Sequence, residues 1–515
     1  MNKDHTFRNK EETMKTKDLD NIVSQLRHYS FMEKMFICNK CSRQIMDVTK
    51  LSLFKQTNTI YPWELEIFAE LSLFADGNKV TKSFNDNNGN DFINMINIIR
   101  NYQHSFLKKQ KNMDYANAFI MVTGLQQFKS QENILHRLYR YEYFWSFSNQ
   151  KIDMPSVFKK NFDGKCYERF KEFATLIFFY ESFKTDIENI AKILEEIFNK
   201  YIDIVYHLKI TRDEYKTKQS DKNDDNYENA IYGFNYLHSF PFIEFENLLF
   251  LPLPYLVIDA VTDSLLTRTT YNDDHLRETI GKEVAQSYIE CIFQESNIYE
   301  EVIPEIKYRI GKNKIDSPDI MIKDQDNFCF IDTKLSTPKL DIRKFNQEKI
   351  NNTIEKYAKY VIQMYRRIKE FINDSYYPFS KKVVVDKQNT FGIVAVLEEA
   401  YISRREIYSE SIRQLGINPE CDEAEFIRVH VKFTNFRDLE LFAFNSQNIF
   451  VALKEKSKDQ KNWNDMGLYN SQYYIDNESK RIKSLEEFIS SNQKIIYNNI
   501  NELVSKGIIV KNILN

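Results

Sequence analysis

Asp319, Asp332 and Lys334 are the residues of this chain whose types and spacing invite chemistry. They stand in "SPDIMIKDQDNFCFIDTKLS", residues 317–336, where two carboxylates and an amine break an otherwise apolar stretch. Alternation along "NFCFIDTKLS" puts Phe328, Phe330, Asp332 and Lys334 on one strand face and Cys329, Ile331, Thr333 and Leu335 on the other. Both faces are apolar before Asp332, the pattern of a central strand covered on both sides, so the charged pair falls at the strand's C-terminal end. An acid and an amine buried there are costly unless they pair or bind something charged. Two outcomes are open: a structural ion pair, or a site for a metal and a polar substrate.

Pro318-Asp319 favours the second. A tight hairpin at "KDQDN" brings the Asp319 carboxylate beside Asp332, and convergent carboxylates repel unless a second cation joins them. A hard divalent cation with oxygen ligands, Mg2+ or Mn2+, resolves that repulsion. Such an ion can polarise a phosphoryl oxygen and acidify water. Lys334, facing the same way, can orient or deprotonate that water and offset charge on the phosphate.

Pro318-Asp319, twelve intervening residues, then Asp332-Thr333-Lys334 resemble the signature of the PD-(D/E)xK nuclease superfamily, which includes restriction endonucleases and bacterial defence and repair nucleases. The resemblance covers residues 270–375, about a fifth of the chain. It implies a restriction-endonuclease-like α/β core, a mixed sheet flanked by helices. It also implies that Asp319 and Asp332 bind Mg2+, that Thr333 lends its backbone carbonyl, and that Lys334 is the catalytic lysine. A further glutamate is expected from the preceding helix, and Glu283 is the candidate, on the edge of a stripe formed by Ile280, Val284, Ser287 and Cys291. The common family form, G-x-x-F-E, would place that acid at Ala285, which leaves Glu278 as the second candidate. On the helix after the motif, Gln363, Lys359, Arg366 and Arg367, with Lys356 nearby, are candidates for nucleic-acid contact or, equally in kind, a solvated charged face. By the same resemblance the function is a metal-dependent DNA endonuclease in phage defence or restriction. The alternatives are a catalytically inactive nucleic-acid-binding or assembly protein of the same fold, and an RNase. A separate ATPase or helicase subunit and self-association are expected partners.

The elements that must position these residues are legible around them. "DHLRETIGKEVAQSYIECIFQES" has helical spacing, three candidate strands follow ("EEVIPEIKYRI", "DIMIKD", "NFCFIDTKLS"), with "GKNKIDSP" and "QD" as polar breaks. A long helix spans about 343–373, and "VVVDK", "FGIVAVLEEAYI" and "RVHVKFTN" supply further strands. This order predicts an α/β domain over 241–435. Before it come a disordered stretch at 1–20, a mostly helical domain at 21–218 and a polar linker at 219–240; after it, a mostly helical extension at 436–515 packs on the nuclease-like domain.

Composition narrows the classes. A chain of 515 residues with 42% hydrophobic and 28% charged residues is globular and has room for several cores. Only 11 glycines occur and no phosphate-binding glycine loop is found, which speaks against ATP or dinucleotide chemistry. A net charge of -3 gives no global basic signature, so a nucleic-acid groove would have to be local. The polar N-terminus and the short apolar run "LLFLPLPYLVI" predict no signal peptide and no membrane span, hence a cytoplasmic protein. Cys38 and Cys41 form a C-x-x-C without a second pair of ligands, which predicts two buried thiols on a helix rather than zinc.

Overall fold

Apolar residues at three- and four-residue spacing form helices throughout the first half of the chain, in a computed structural model that describes residues 19–46, 60–75, 80–108, 115–182, 189–220, 233–337, 342, 345–458 and 481–508. By its internal contacts the chain divides into two units, one comprising Met1–Leu138, Val157–Thr269 and Ser491–Asn515, the other Tyr139–Ser156 and Thr270–Ser490. The expected ends at 218 and 240 are therefore displaced. The cause is a small sheet: β1 (Lys209–Thr211) pairs in parallel with β2 (Phe242–Phe245), which pairs with β3 (Leu248–Phe250), and so ties both flanks of the expected linker into the first unit. Residues 1–18 and 221–232, the bulk of the expected disordered N-terminus and part of the linker, lie outside the described residues.

In the first unit, α1 (Phe31–Met46) carries the C-x-x-C, with Cys38 buried and Cys41 half-buried, both free and both pushed up in pKa by burial. The next helix, α2 (Pro62–Phe74), starts with proline in its first turn, and the Tyr61 backbone N–H donates to the Glu64 carboxylate at 3.0 Å. It is buried along its length, so its acids need partners: Glu70 accepts from Tyr215 and Gln219, and Glu66 from Tyr255 and His238. Later in the same unit come α3 (Tyr167–Ser182) and α4 (Leu256–Val261).

The second unit is built on a mixed five-stranded sheet. In chain order its strands are β4 (Glu301–Pro304), β7 (Ile320–Asp324), β8 (Asn327–Lys334), β9 (Thr390–Val396) and β10 (Val431–Asn435), with β5 (Lys307–Ile310) and β6 (Asn313–Asp316) forming a separate hairpin between the first two. The sheet order is β10-β9-β8-β7-β4; β8, β9 and β10 are parallel, and β7 runs antiparallel to both β8 and β4. Antiparallel β7 and β8 are joined by the two-residue turn Gln325-Asp326, with Gln325 in the left-handed region at φ 55°. The parallel pair needs a crossover, and α7 (Gln347–Ile372) supplies it.

The crossover helix lies close on the sheet because Gly392 in β9 has no side chain: a Cβ there would stand 2.5 Å from Met364 Cγ and Ile368 Cδ1. Phe328 and Phe330 of β8 pack edge-on to Phe371 of α7, and the strand is buried on both faces as its sequence predicts. On the other side of β8 in chain order come α5 (Asp274–Thr279), a π-helical turn (Ile280–Ala285) and α6 (Gln286–Ser296). Two strand expectations fail. "VVVDK" forms no strand, and Val384 is 90% exposed, since β-propensity without a neighbouring strand is insufficient. "GKNKIDSP", expected as a break, contains β6. No described helix is long and apolar enough to cross a membrane.

Candidate functional site

The register of the β7–β8 hairpin decides what meets what. Ile320 lies opposite Ile331, so the residue before β7, Asp319, comes level with Asp332 in β8. The Asp319 carboxylate turns back across the pair: its Oδ2 accepts from the Thr333 backbone N–H at 2.7 Å and from the Thr333 hydroxyl at 2.8 Å. The Asp319 N–H in turn donates to Asp332 Oδ1 over 3.4 Å. Asp332 is 2% exposed, and its second oxygen, Oδ2, has no hydrogen-bond partner; Lys334 Nζ stands 3.6 Å away, an ion pair beyond hydrogen-bond length.

This packing governs protonation. Burial first, then the neighbouring charge of Asp332, push the Asp319 carboxyl up to about 7, against the opposing influence of Lys334 and Thr333. Burial works to lower the Lys334 ammonium, but Asp332 and Asp319 outweigh it and the net direction is upward. Lys334 therefore sits in the site as a firm cation, with its Nζ 5.6 Å from the centre of the Tyr360 ring.

Asp319, Thr333 and Lys334 open into a cleft of about 430 Å³, walled by α5 and the π turn on one side and by α7 on the other. Glu278, Lys282 and Gln286 line the first wall, Lys356 and Tyr360 the second, and Glu305 stands between β4 and β5. Burial raises the Glu305 carboxyl, with Lys282, 3.9 Å away, opposing it. Gln286 donates to the Asp319 backbone carbonyl at 3.1 Å, which fixes the bend that aims the Asp319 side chain. The end of β8 is held from both walls: Arg277 donates to the Leu335 carbonyl at 3.2 Å and the Thr337 hydroxyl at 2.8 Å, and Lys356 to the Ser336 hydroxyl at 3.2 Å.

The structure thus brings Asp319, Asp332, Thr333 and Lys334 together. Glu283 stays apart: it does not line the cleft, and its carboxylate is held by Lys151 at 2.6 Å and Asn149 at 3.0 Å. The cause is the π turn, which inserts an extra residue into the helix and shifts its phase. The buried stripe continues through Ala285, Tyr288, Ile289, Ile292 and Phe293 instead of Ser287 and Cys291, and the cleft-facing position one turn after Lys282 is Gln286. Of the candidates on α7, Lys356 lines the cleft, whereas Lys359, Gln363, Arg366 and Arg367 do not. Lys359, Gln363 and Arg366 are exposed, and Arg367 is engaged with Glu370 at 3.1 Å and the Tyr308 hydroxyl at 3.4 Å. Gln363 and Arg367 do continue the stripe begun by Lys356 and Tyr360 at helical spacing.

Lys356 was within reach of sequence analysis, but Tyr360, Gln286 and Glu305 were not, because each owes its place to the π turn, the crossover or a connection of unreadable geometry. Among the described residues no three His, Cys, Asp or Glu side chains converge as a metal cluster, so cation binding would rest on the Asp319–Asp332 pair with backbone and water oxygens. That pair fits a hard cation on its own chemistry: two carboxylates level across a hairpin, one with a buried oxygen lacking a hydrogen bond. Comparison with protein-family models, curated proteins and solved structures returns no significant match for this chain.

Proposed function

We propose that the protein is a metal-dependent phosphodiesterase acting on nucleic acid, with DNA as its substrate. The observation that carries this is the Asp319–Asp332 pair set against Lys334 beside a cleft that Arg277, Lys282 and Lys356 line together with Asp274, Glu278 and Glu305. Element order adds support, since a helix, an antiparallel meander, a crossover helix and a parallel strand are what the PD-(D/E)xK resemblance implies. In this reading Asp319 and Asp332 hold Mg2+ or Mn2+, Thr333 adds its backbone carbonyl, and Gln286 and the Thr333 hydroxyl keep Asp319 aimed. The ion would supply positive charge to a phosphoryl oxygen and acidify water. Lys334, 3.6 Å from Asp332 Oδ2, is placed to orient or deprotonate the attacking water and to offset charge developing on the phosphate. Lys356 and Lys282 neutralise adjoining phosphates. Action in phage defence or restriction, beside a separate ATPase subunit or as an oligomer, is the setting that resemblance suggests.

A second reading, a nucleic-acid-binding protein that has the fold without the activity, draws on one observation: Glu283 is held by Lys151 away from the cleft, and the helix residue bonded to Asp319 is the uncharged Gln286. Incubating wild type, Asp332→Ala and Lys334→Ala with plasmid DNA and with RNA, in Mg2+ and in EDTA, separates these. Cutting of DNA by wild type in Mg2+ alone supports the proposal; cutting that persists in EDTA or in both variants sinks it, and retention without cutting favours the second reading.

A further inference from the structure

The hairpin β5–β6 springs from the wall of the cleft. Its base is closed by reciprocal hydrogen bonds, Ser317 N–H to the Ile306 carbonyl at 2.9 Å and Ile306 N–H to the Ser317 hydroxyl at 2.8 Å. Immediately outside that base stand two cleft-lining carboxylates, Glu305 on one stem and, past Pro318, Asp319 on the other. The tip is a two-residue turn, Gly311-Lys312, with Gly311 at φ 59°, as a tight hairpin requires.

The two faces of this ribbon differ. Tyr308 and its cross-strand partner Ile315 lie on the face that is anchored: Tyr308 stacks on Tyr376 at 4.3 Å and its hydroxyl bonds Glu370 on α7. On the opposite face Arg309 stands directly across from Lys314, both exposed, and neither has an ion-pair partner among the described residues. Lys312 at the tip is also exposed, and Lys307 is offset by Asp316 at 3.9 Å. Like charges directly opposed across a hairpin destabilise it, so folding gains nothing from this arrangement. In a chain whose net charge is -3, it is a local cationic blade beside a site for phosphodiesters.

We infer that this hairpin enters the major groove of double-stranded B-form DNA and seats the duplex over the cleft. A two-stranded ribbon fits a major groove of roughly 12 Å width, whereas the major groove of an RNA duplex is too narrow to admit one. Arg309, Lys312 and Lys314 contact phosphates and base edges, and Tyr308 fixes the ribbon's angle to α7. The inference rests on the proposed nuclease function, because the hairpin's stems carry the cleft's own carboxylates.

The test is fluorescence anisotropy of the full chain in EDTA with a short labelled DNA duplex, its single strand and the matching RNA duplex. Arg309→Ala/Lys312→Ala/Lys314→Ala weakens duplex DNA binding by about tenfold or more and lowers the slope of log K against log salt by about 2 to 3. Single-strand binding stays unchanged, and the charge-keeping variant Arg309→Lys/Lys314→Arg binds as wild type. Wild-type affinity for the duplex in the triple alanine variant overturns the inference, as does wild-type preference for the single strand or for RNA. The same proteins with plasmid and Mg2+ separate the two claims. Undiminished cutting by the triple variant overturns the hairpin's role alone, while hairpin-dependent binding by a wild type that cuts nothing upholds the hairpin and overturns the nuclease proposal alone.

Discussion

Asp332 holds a nearly inaccessible carboxylate with one oxygen unsatisfied and a second carboxylate beside it, an arrangement that costs stability unless a cation completes it. Its replacement is expected to act on chemistry before binding. Asp332→Asn and Lys334→Ala each lower Mg2+-dependent cleavage by about a hundredfold or more while leaving duplex affinity within about twofold, measured by plasmid nicking and anisotropy. Cation binding carries a pH signature from Asp319, whose carboxyl is raised to about 7. Below that value the proton must leave before the ion enters, so Mn2+ affinity, followed by calorimetry, falls toward about tenfold per pH unit between pH 7 and 5 and levels off above 8. The Asp319–Asp332 partnership was legible in the sequence because a two-residue turn leaves one register for apolar strands of this length. Glu283 was misjudged because a straight helical count runs through it, and nothing in "TIGKEVAQ" announces the π turn that breaks the count.

Among the elements, the crossover helix α7 sets the shape of the cleft, and Gly392 sets how closely that helix lies on the sheet. Gly392→Ala forces Met364 and Ile368 aside and lowers unfolding free energy by about 1 to 3 kcal/mol in urea titration; a change near zero would mean the helix shifts freely. Strands β8 and β9 were legible as apolar runs buried on both faces. The β5–β6 hairpin was half hidden, since exposed ribbons lack the apolar alternation that identifies core strands, and "VVVDK" showed the alternation's residue types with no partner to pair. The π turn also explains why Lys282 and Gln286, rather than Lys282 and Ala285, face the cleft.

At the scale of the whole molecule, sequence texture separated a helical first half from a sheet-bearing second, but not the boundary, which depends on β1 and β2 pairing across the intervening polar stretch. The helical unit has its own pH dependence. His238 lies between Asp259 at 2.6 Å and Glu66 at 3.0 Å; burial works to lower its pKa, but the two carboxylates outweigh that and raise it from 6.5 to about 9. Because the folded value exceeds the unfolded one, the stabilisation is complete below about pH 6.5 and fades as pH rises through 9. Hydrogen-exchange protection in α2, taken relative to the intrinsic rate at each pH, falls across that window in wild type and loses this fall in His238→Gln. The function turns on whether the paired carboxylates of the second unit bind a divalent cation. Calorimetric titration of Mn2+ into the full chain at pH 8 tests this most directly. Saturable binding is expected in wild type and in Glu283→Gln, and its loss in Asp319→Asn and Asp332→Asn. Binding that survives both asparagine variants, or a wild type that takes up no Mn2+, would contradict it.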